Sequence, residues 1–236
     1  MAAAVMSCSP VAAAFEPVAP SLGVLTLLRC QAALGLRAFE TGTGRCDATH
    51  ACVGLFVHVV VEDGEPVRPP QWFAAQVAAA NRLYADIGVA FEVAGVREAP
   101  ADQADIDGRS DRDALGRDAT PAGVVHVFVV RRLADVDIAG DEIRGVHWRV
   151  RAEPSRRFVI LSSIAPERVL AHELGHFFGL PHSRFAVSIM NKTPRDEPPP
   201  ELRGFHPSEL AIMRRERDRM FGDRTLVRRN RRSPRR

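Results

Sequence analysis

Three histidines, a glutamate and a glycine stand at fixed spacing near the middle of the C-terminal half of the chain. Residues 172–182 read His-Glu-Leu-Gly-His-Phe-Phe-Gly-Leu-Pro-His. On a helix, His172 and His176 lie about one turn apart, so both imidazoles project from one face and can bind one Zn²⁺. Gly179 allows the backbone to leave the helix in a left-handed turn, which brings His182 round as a third ligand. Three protein ligands leave a fourth position for water, as in catalytic zinc sites.

Glu173 directly follows the first histidine and is the candidate general base. Its carboxylate can take a proton from metal-activated water and later deliver it to a leaving amine. A surface helix that carries histidines by chance is the alternative for the bare His-Glu-x-x-His pentapeptide. The longer string, with its glycine and third histidine, makes coincidence a poor explanation and predicts a zinc-dependent hydrolase.

The string resembles the signature of the metzincin zinc endopeptidases, HExxHxxGxxH followed by a methionine turn. The turn is identified as Ser188-Ile189-Met190-Asn191, with Met190 eight residues after His182. This spacing, and Ser183 directly after His182, resemble the matrixin branch most. The resemblance implies that Met190 forms an apolar floor beneath the zinc, and a methionine that only fills a gap in the core is the alternative.

The resemblance also implies a fold. We expect an α+β domain with a twisted mixed five-stranded sheet and two helices above the cleft. A small irregular lower subdomain would hold the methionine turn and the C-terminal helix. The element order predicted from the residues themselves agrees with this expectation over roughly residues 52–222.

An edge strand is predicted over residues 143–150, because the sequence alternates there and is more polar than the neighbouring apolar runs. In metzincins the extended substrate pairs with such a strand, which by resemblance assigns this role to Gly145, Val146, His147 and Trp148. His147 is expected at the rim of the site rather than as a fourth ligand, since three histidines already complete the site.

Two departures from the family pattern concern tyrosine and calcium. Some metzincins place a tyrosine after the methionine, but Asn191-Lys192-Thr193 stands here and the only tyrosine is Tyr84. Matrixins usually carry a further zinc and calcium before the edge strand. The corresponding stretch has no accompanying histidines and carries Asp135, Asp137, Asp141 and Glu142. Oxygen ligands suit Ca²⁺, and a solvated acidic loop is the alternative.

The remaining elements follow from apolar runs and from proline and glycine boundaries. β-branched runs predict strands at 53–61, 87–96, 124–130 and 158–161. Helices are predicted from Pro70 to Gly88, from Pro166 to Gly179 and from Pro207 to Met220. Residues 98–123 lack apolar periodicity and collect aspartates, which predicts a long surface loop.

Length and composition fit one globular domain with some extra length. The chain has 236 residues, of which 46% are hydrophobic and 26% charged. These values argue against disorder, collagen and coiled coil, and no apolar stretch predicts a transmembrane segment. The expected organisation is an N-terminal extension at 1–45, an upper catalytic subdomain at 46–182, a lower subdomain at 183–223 and an arginine-rich tail at 224–236.

Cys46 and Cys52 bracket a short polar loop and are the candidate disulfide. A cysteine ligand to the zinc, implied by a faint likeness to the matrixin pro-segment around Cys46, is an alternative. A metal site of Cys46, His50 and Cys52 is another. Residues 1–45 are predicted as a leader, a pro-segment or the product of a misplaced start. A secreted or periplasmic protein is expected, although the first basic residue is Arg29.

Charge is divided unevenly along the chain. Residues 214–236 hold 11 arginines and three acidic residues, whereas the rest holds 21 basic and 26 acidic residues. A basic tail can bind anionic surfaces or nucleic acid, but no aromatic residues or recognition motif accompany it, so no specific nucleic-acid partner is expected.

The sequence therefore predicts a monomeric zinc endopeptidase that acts on proteins or peptides. Two alternatives remain open at this point. One is a catalytically weak metal-binding module on a metzincin-like scaffold, and the other is a binder of anionic surfaces or nucleic acid through the basic tail.

Overall fold

A sheet of five long strands forms the centre of the domain. The computed structural model describes residues 35–43, 46, 49–117 and 119–229. In chain order the strands are β1 Ala51–Glu62, β2 Glu65–Pro66, β3 Val89–Ala99, β4 Asp105–Ile106, β5 Val125–Val130, β6 Arg132–Leu133, β7 Gly145–Arg149 and β8 Arg157–Ser162. The long strands lie in the order β3, β1, β5, β8 and β7, parallel except for β7, which is antiparallel to β8. The expected mixed sheet is confirmed, with the two-residue β2 as a short addition to β1.

Four of the five α-helices that the structure describes contribute to the core on one face of this sheet. The described helices are α1 at 35–41, α2 Pro70–Tyr84, α3 Arg109–Leu115, α4 Val169–Phe177 and α5 Pro207–Gly222. Alternate residues of β1, Leu55, Val57 and Val59, are fully buried in one cluster with Val77 of α2 and Leu174 of α4. This period-two pattern places α2 and α4 above the sheet, as an α+β domain requires.

The opposite face of the sheet is also covered, which corrects the prediction of a loop at 98–123. That stretch contains β4 and α3, and Leu115 packs there with Phe158 and Ile160. Arg112 of α3 is 2% exposed, and its guanidinium lies over the Trp148 ring at 4.9 Å. The helix escapes prediction because its buried face consists of one leucine and the stem of one arginine rather than an apolar stripe.

Both ends of the described chain pack on the domain, unlike the extensions expected at 1–45 and 224–236. Phe39 of α1 is fully buried against Phe73, with ring centroids 5.9 Å apart. At the other end Leu226 is 1% exposed, and the Val227 N–H donates to the Gly123 carbonyl at 2.9 Å. The packed domain therefore includes residues 35–43 and 224–229. The leader and pro-segment hypotheses for residues 1–34 fall outside the described residues.

A disulfide joins Cys46 to Cys52 at the start of β1, with 5.7 Å between the Cα atoms. Glu92 of β3 connects this bridge to the C-terminal segment. One of its carboxylate oxygens accepts from the Cys46 N–H at 3.2 Å, and the other accepts from Arg229 Nε at 2.7 Å. In this form Cys46 has no free thiolate to offer a metal, so neither cysteine-ligand alternative describes this structure. None of the described helices has the length and apolar character to cross a membrane.

Candidate zinc centre

Helix α4 carries the candidate ligands, and side chains from α2 hold it in place. Tyr84 is fully buried, and its hydroxyl donates to the Ala171 carbonyl at 3.0 Å. The buried amide of Gln76 accepts from the Leu170 N–H at 3.0 Å and donates to the Pro166 carbonyl at 2.8 Å. Gln76 therefore satisfies the backbone groups at the start of α4 that no residue of the helix can reach.

The three predicted histidines come together at the end of α4. Each of His172, His176 and His182 offers a ring nitrogen within 4.8 Å of the others. Gly179 has φ +87°, which is the left-handed turn that returns the chain to the site. A Cβ at Gly179 would also lie 2.9 Å from Cγ of Glu216, so both the turn and the packing require glycine.

Backbone carbonyls fix which nitrogens face the common centre. Nδ1 of His172 lies 2.8 Å from the Ile189 carbonyl, and Nδ1 of His176 lies 2.7 Å from the Leu180 carbonyl. A carbonyl oxygen can only accept, so each Nδ1 carries the proton and each Nε2 keeps its lone pair. Histidines that bind metals through one ring nitrogen typically donate a hydrogen bond from the other ring nitrogen, often to a backbone carbonyl.

Burial keeps these imidazoles neutral. It lowers the pKa of His172 to about 4, and the neighbouring His176 and His182 act in the same direction while the Ile189 carbonyl opposes them. Burial also lowers the pKa of His176 and of His182. Three neutral imidazoles with converging lone pairs fit Zn²⁺, which binds histidine nitrogen in its neutral form.

Glu173 is 5% exposed and lies against the edge strand. Its Oε2 accepts a hydrogen bond of 2.7 Å from the backbone N–H of His147. Burial raises the pKa of Glu173 to about 8, and the bond from His147 opposes this rise. A buried carboxyl with a raised pKa, one residue after the first of three clustered histidines, is a candidate for proton transfer.

Strand β7 is the last strand of the sheet and offers an outer edge beside Glu173. The Ser162 N–H donates to the Arg144 carbonyl at 3.0 Å, which sets the antiparallel alternation. Gly145, His147 and Arg149 therefore direct their backbone groups outward, whereas Val146 and Trp148 direct theirs toward β8. The predicted strand is confirmed at Gly145–Arg149, and Glu173 already occupies one of its outward N–H groups.

The side chains of β7 have separate roles. His147 stacks edge to face on Phe177, with ring centroids 5.6 Å apart, and is not part of the three-histidine group. Its buried Nε2 has no hydrogen-bond partner among the described residues. Trp148 lies on the other face, where its indole N–H donates to Asp113 of α3 at 2.8 Å. Gly145 lets the strand approach α4, because a Cβ there would lie 2.6 Å from Val169 Cγ1 and 3.2 Å from Glu173 Cγ.

Met190 packs against Gly175 of α4, which lies between the first two zinc-site histidines in the sequence. It is fully buried, and a Cβ at Gly175 of α4 would overlap its Sδ. The Ser183 N–H donates to the Met190 carbonyl at 3.0 Å, which ties the turn to the residue after His182. The turn also supplies the Ile189 carbonyl that orients His172.

A buried carboxylate that sequence reasoning missed holds this turn. The Ser188 hydroxyl donates one shared hydrogen bond to Glu209 of α5, with its oxygen 3.0 and 2.8 Å from the two carboxylate oxygens, and the His206 N–H donates to the same carboxylate at 2.8 Å. The Ser188 oxygen in turn accepts from the Met190 N–H at 3.0 Å. The signal available in the sequence was the spacing of His206 and Glu209, which is that of a helix capping pair.

The acidic residues considered for calcium do not converge on one point. Asp137 forms an ion pair with Arg109 at 2.6 Å, and Asp135 accepts from the Asp137 and Ile138 N–H groups. Among the described residues, the three histidines form a group that could hold a metal, whereas in the other group of close ligand atoms, Cys46, Cys52 and Glu92, the two cysteines are joined in a disulfide. These contacts favour the acidic-loop alternative, and calcium at Asp135, Asp137, Asp141 and Glu142 stays a prediction.

The fold and the site together define the class of zinc metallopeptidases, and comparison with known proteins agrees with this class. The family model for matrixin matches residues 73–203, more than half of the chain and all three zinc-site histidines. The chain therefore belongs to the matrixin family, and the expected resemblance is confirmed. A search of curated proteins finds no match to this chain.

Proposed function

We propose that this protein is a zinc-dependent endopeptidase that hydrolyses internal peptide bonds of proteins or peptides. The observation that carries the proposal is the position of Glu173, which directly follows the first of the three clustered histidines on α4, is buried, and is bonded to the edge strand. A scaffold that only bound metal would have no use for a buried carboxyl at this point.

His172, His176 and His182 would hold the zinc. When bound, the metal supplies Lewis acidity, which polarises a carbonyl and lowers the pKa of water. A cation beside Glu173 would also favour its ionised form, because an opposite charge stabilises a carboxylate. Glu173 then takes the proton of the attacking water and delivers it to the leaving amine. The only tyrosine, Tyr84, is not available to assist, since its buried hydroxyl donates to the Ala171 carbonyl.

The edge of β7 would position the substrate. The outward backbone groups of Gly145 and Arg149 and the carbonyl of His147 have no backbone partner within the described part of the chain and can pair with an extended peptide, as in other cases of strand addition. Short blocked dipeptides should be poor substrates, because they cannot use this pairing. By family resemblance, an apolar side chain is expected just after the scissile bond.

The test is cleavage of a peptide library by the zinc-loaded protein, with mass spectrometry of the products. Internal cuts that require extended peptides and disappear in Glu173→Ala support the proposal. Cuts confined to terminal residues would indicate an exopeptidase. No cuts at all, with zinc bound, would favour the metal-binding module.

We also propose that the protein is a monomer, that it is secreted or periplasmic, and that it has no specific nucleic-acid partner.

A further inference from the structure

A proline-rich loop starts and ends at the methionine turn. It comprises residues 191–204 and carries prolines at positions 194, 198, 199 and 200. At its end, the Ile189 N–H donates to the Gly204 carbonyl at 2.8 Å, and the Gly204 N–H donates to the Val187 carbonyl at 2.9 Å. Since the Ile189 carbonyl holds His172, this loop borders the zinc centre.

Proline gives this loop few backbone donors. A proline has no N–H, so the loop cannot satisfy its own carbonyls through a regular hydrogen-bond ladder. Only one short 3₁₀ turn, Pro200–Leu202, forms within it. A loop of this composition must take its donors from side chains or water.

Two arginines supply those donors. Arg203 donates through Nε to the Pro198 carbonyl at 2.7 Å and through a terminal nitrogen to the Arg195 carbonyl at 2.8 Å. Arg168 donates to the carbonyls of Pro200 and Arg203. The fixed fork of a guanidinium suits two carbonyls at once, which a lysine ammonium does not reproduce.

Arg168 connects this loop to α4, the helix that carries His172 and His176. Arg168 directly precedes α4, and its own carbonyl accepts from the His172 N–H at 3.1 Å. Asn191 holds the other end of the loop, because its side-chain oxygen accepts from the Thr193 N–H at 2.8 Å and its amide donates to the Phe185 carbonyl at 3.1 Å. The loop is thus fixed at both ends and, through the arginines, in its middle.

We propose that Arg168 and Arg203 determine substrate selectivity by fixing the shape of this loop as a wall beside the scissile bond. The inference rests on the proposed endopeptidase function and assigns both arginines as positioning residues. With the loop fixed, only side chains of matching shape are accepted just after the cleaved bond. Loosening the loop should broaden this choice and leave the chemistry of Glu173 unchanged.

The experiment compares Arg168→Gln and Arg203→Gln with the native zinc-loaded protein. Arg82→Gln is the matched control, because Arg82 pairs on the surface with Glu167, directly before Arg168, and forms no hydrogen bond or ion pair with the described residues of the loop. Backbone hydrogen exchange of residues 192–204 should be faster in both test variants than in the native protein, and unchanged in the control. Exchange of residues 169–177 should be unchanged in all three variants. Arg168→Lys, which keeps the charge, should fall between native and Arg168→Gln.

Cleavage of the peptide library gives the second readout. KM for the preferred substrate should rise about five- to tenfold per variant, the effect of one or two lost hydrogen bonds, while kcat changes little. The set of side chains accepted after the cleaved bond should widen. Unchanged exchange would overturn the positioning role, and faster exchange with unchanged selectivity would overturn the specificity role. If the native protein cleaves nothing, the proposed function fails and the selectivity claim fails with it, while exchange still decides whether the arginines hold the loop.

Discussion

The backbone N–H of His147 donates a hydrogen bond of 2.7 Å to Oε2 of Glu173. This bond joins the strand proposed to bind substrate to the group proposed to move the proton. The length of this bond depends on how closely β7 approaches α4. That close approach is possible because Gly145 has no Cβ. Substrate positioning and proton transfer are therefore set by one contact between a strand and a helix.

Gly145→Ala tests this contact. The new Cβ would lie 2.6 Å from Val169 Cγ1, so β7 must move away from α4 and lengthen the bond to Glu173. We expect zinc to be retained and the peptidase rate to fall ~10–100-fold, because a shift of about 1 Å in a catalytic group can cost this much in rate. Gly222→Ala is the control, because a Cβ there meets nothing within 4 Å. Equal rates in the two variants would show that the close approach is unimportant.

Replacing Glu173 separates proton transfer from metal binding. Glu173→Gln keeps an oxygen that can accept from the His147 N–H but cannot act as a base. We expect full zinc content with a rate lowered ~10²–10⁴-fold, the usual contribution of general acid–base catalysis. Loss of zinc together with activity would instead give Glu173 a structural role at the metal.

The C-terminal segment should contribute to stability. A chain that ends at Asp223 loses the buried Leu226 and the ion pair between Arg229 and Glu92. Burial of one leucine stabilises a domain by about 2 kcal/mol, so urea unfolding should show a loss of roughly this size. A chain that ends at Arg229 keeps both contacts and should unfold like the full chain. If the two shortened chains are equally stable, residues 224–229 contribute little.

A buried histidine pair predicts sensitivity to acid. Nε2 of His58 lies 2.9 Å from Nδ1 of His126, and Nε2 of His126 lies 3.1 Å from the Pro121 carbonyl. The carbonyl can only accept, so His126 donates to it and accepts from His58. Burial lowers the pKa of His58 from its ordinary 6.5 to about 3, and His126 and Arg97 add to this effect. Burial lowers the pKa of His126 as well.

The native state therefore binds fewer protons than the unfolded state between about pH 6.5 and pH 3. Stability from the neutral pair is complete above pH 6.5 and declines as pH falls through this range. For His58 alone the loss between pH 7 and 5 is about 1–2 kcal/mol. His58→Gln keeps a donor toward His126, so the native protein should lose more stability than this variant over that interval in urea unfolding. Parallel losses in the two proteins would exclude the pair as the cause.

Elements with strong local signals could be predicted from the sequence. The valine-rich strands, the proline and glycine limits of α2 and the spacing of the zinc-site histidines each depend on residues close together in the chain. The left-handed turn at Gly179 is confirmed for the same reason, because only one residue type readily adopts that conformation.

Features that depend on distant residues could not be predicted. Helix α3 is held by Arg112 against Trp148, and α1 by Phe39 against Phe73, neither of which forms an apolar period. The contacts of Gln76 with α4 and of Glu209 with Ser188 join residues separated by 94 and 21 positions. A polar side chain that satisfies a buried group elsewhere in the fold looks like any surface residue in the sequence.

Zinc content is the most direct measure of the central claim, because every proposed step needs the metal at His172, His176 and His182. Protein prepared without chelator should contain one zinc per chain by elemental analysis, and the double replacement of His172 and His176 by alanine should contain none. A native protein without zinc, or a double variant that retains one zinc per chain, would contradict the account.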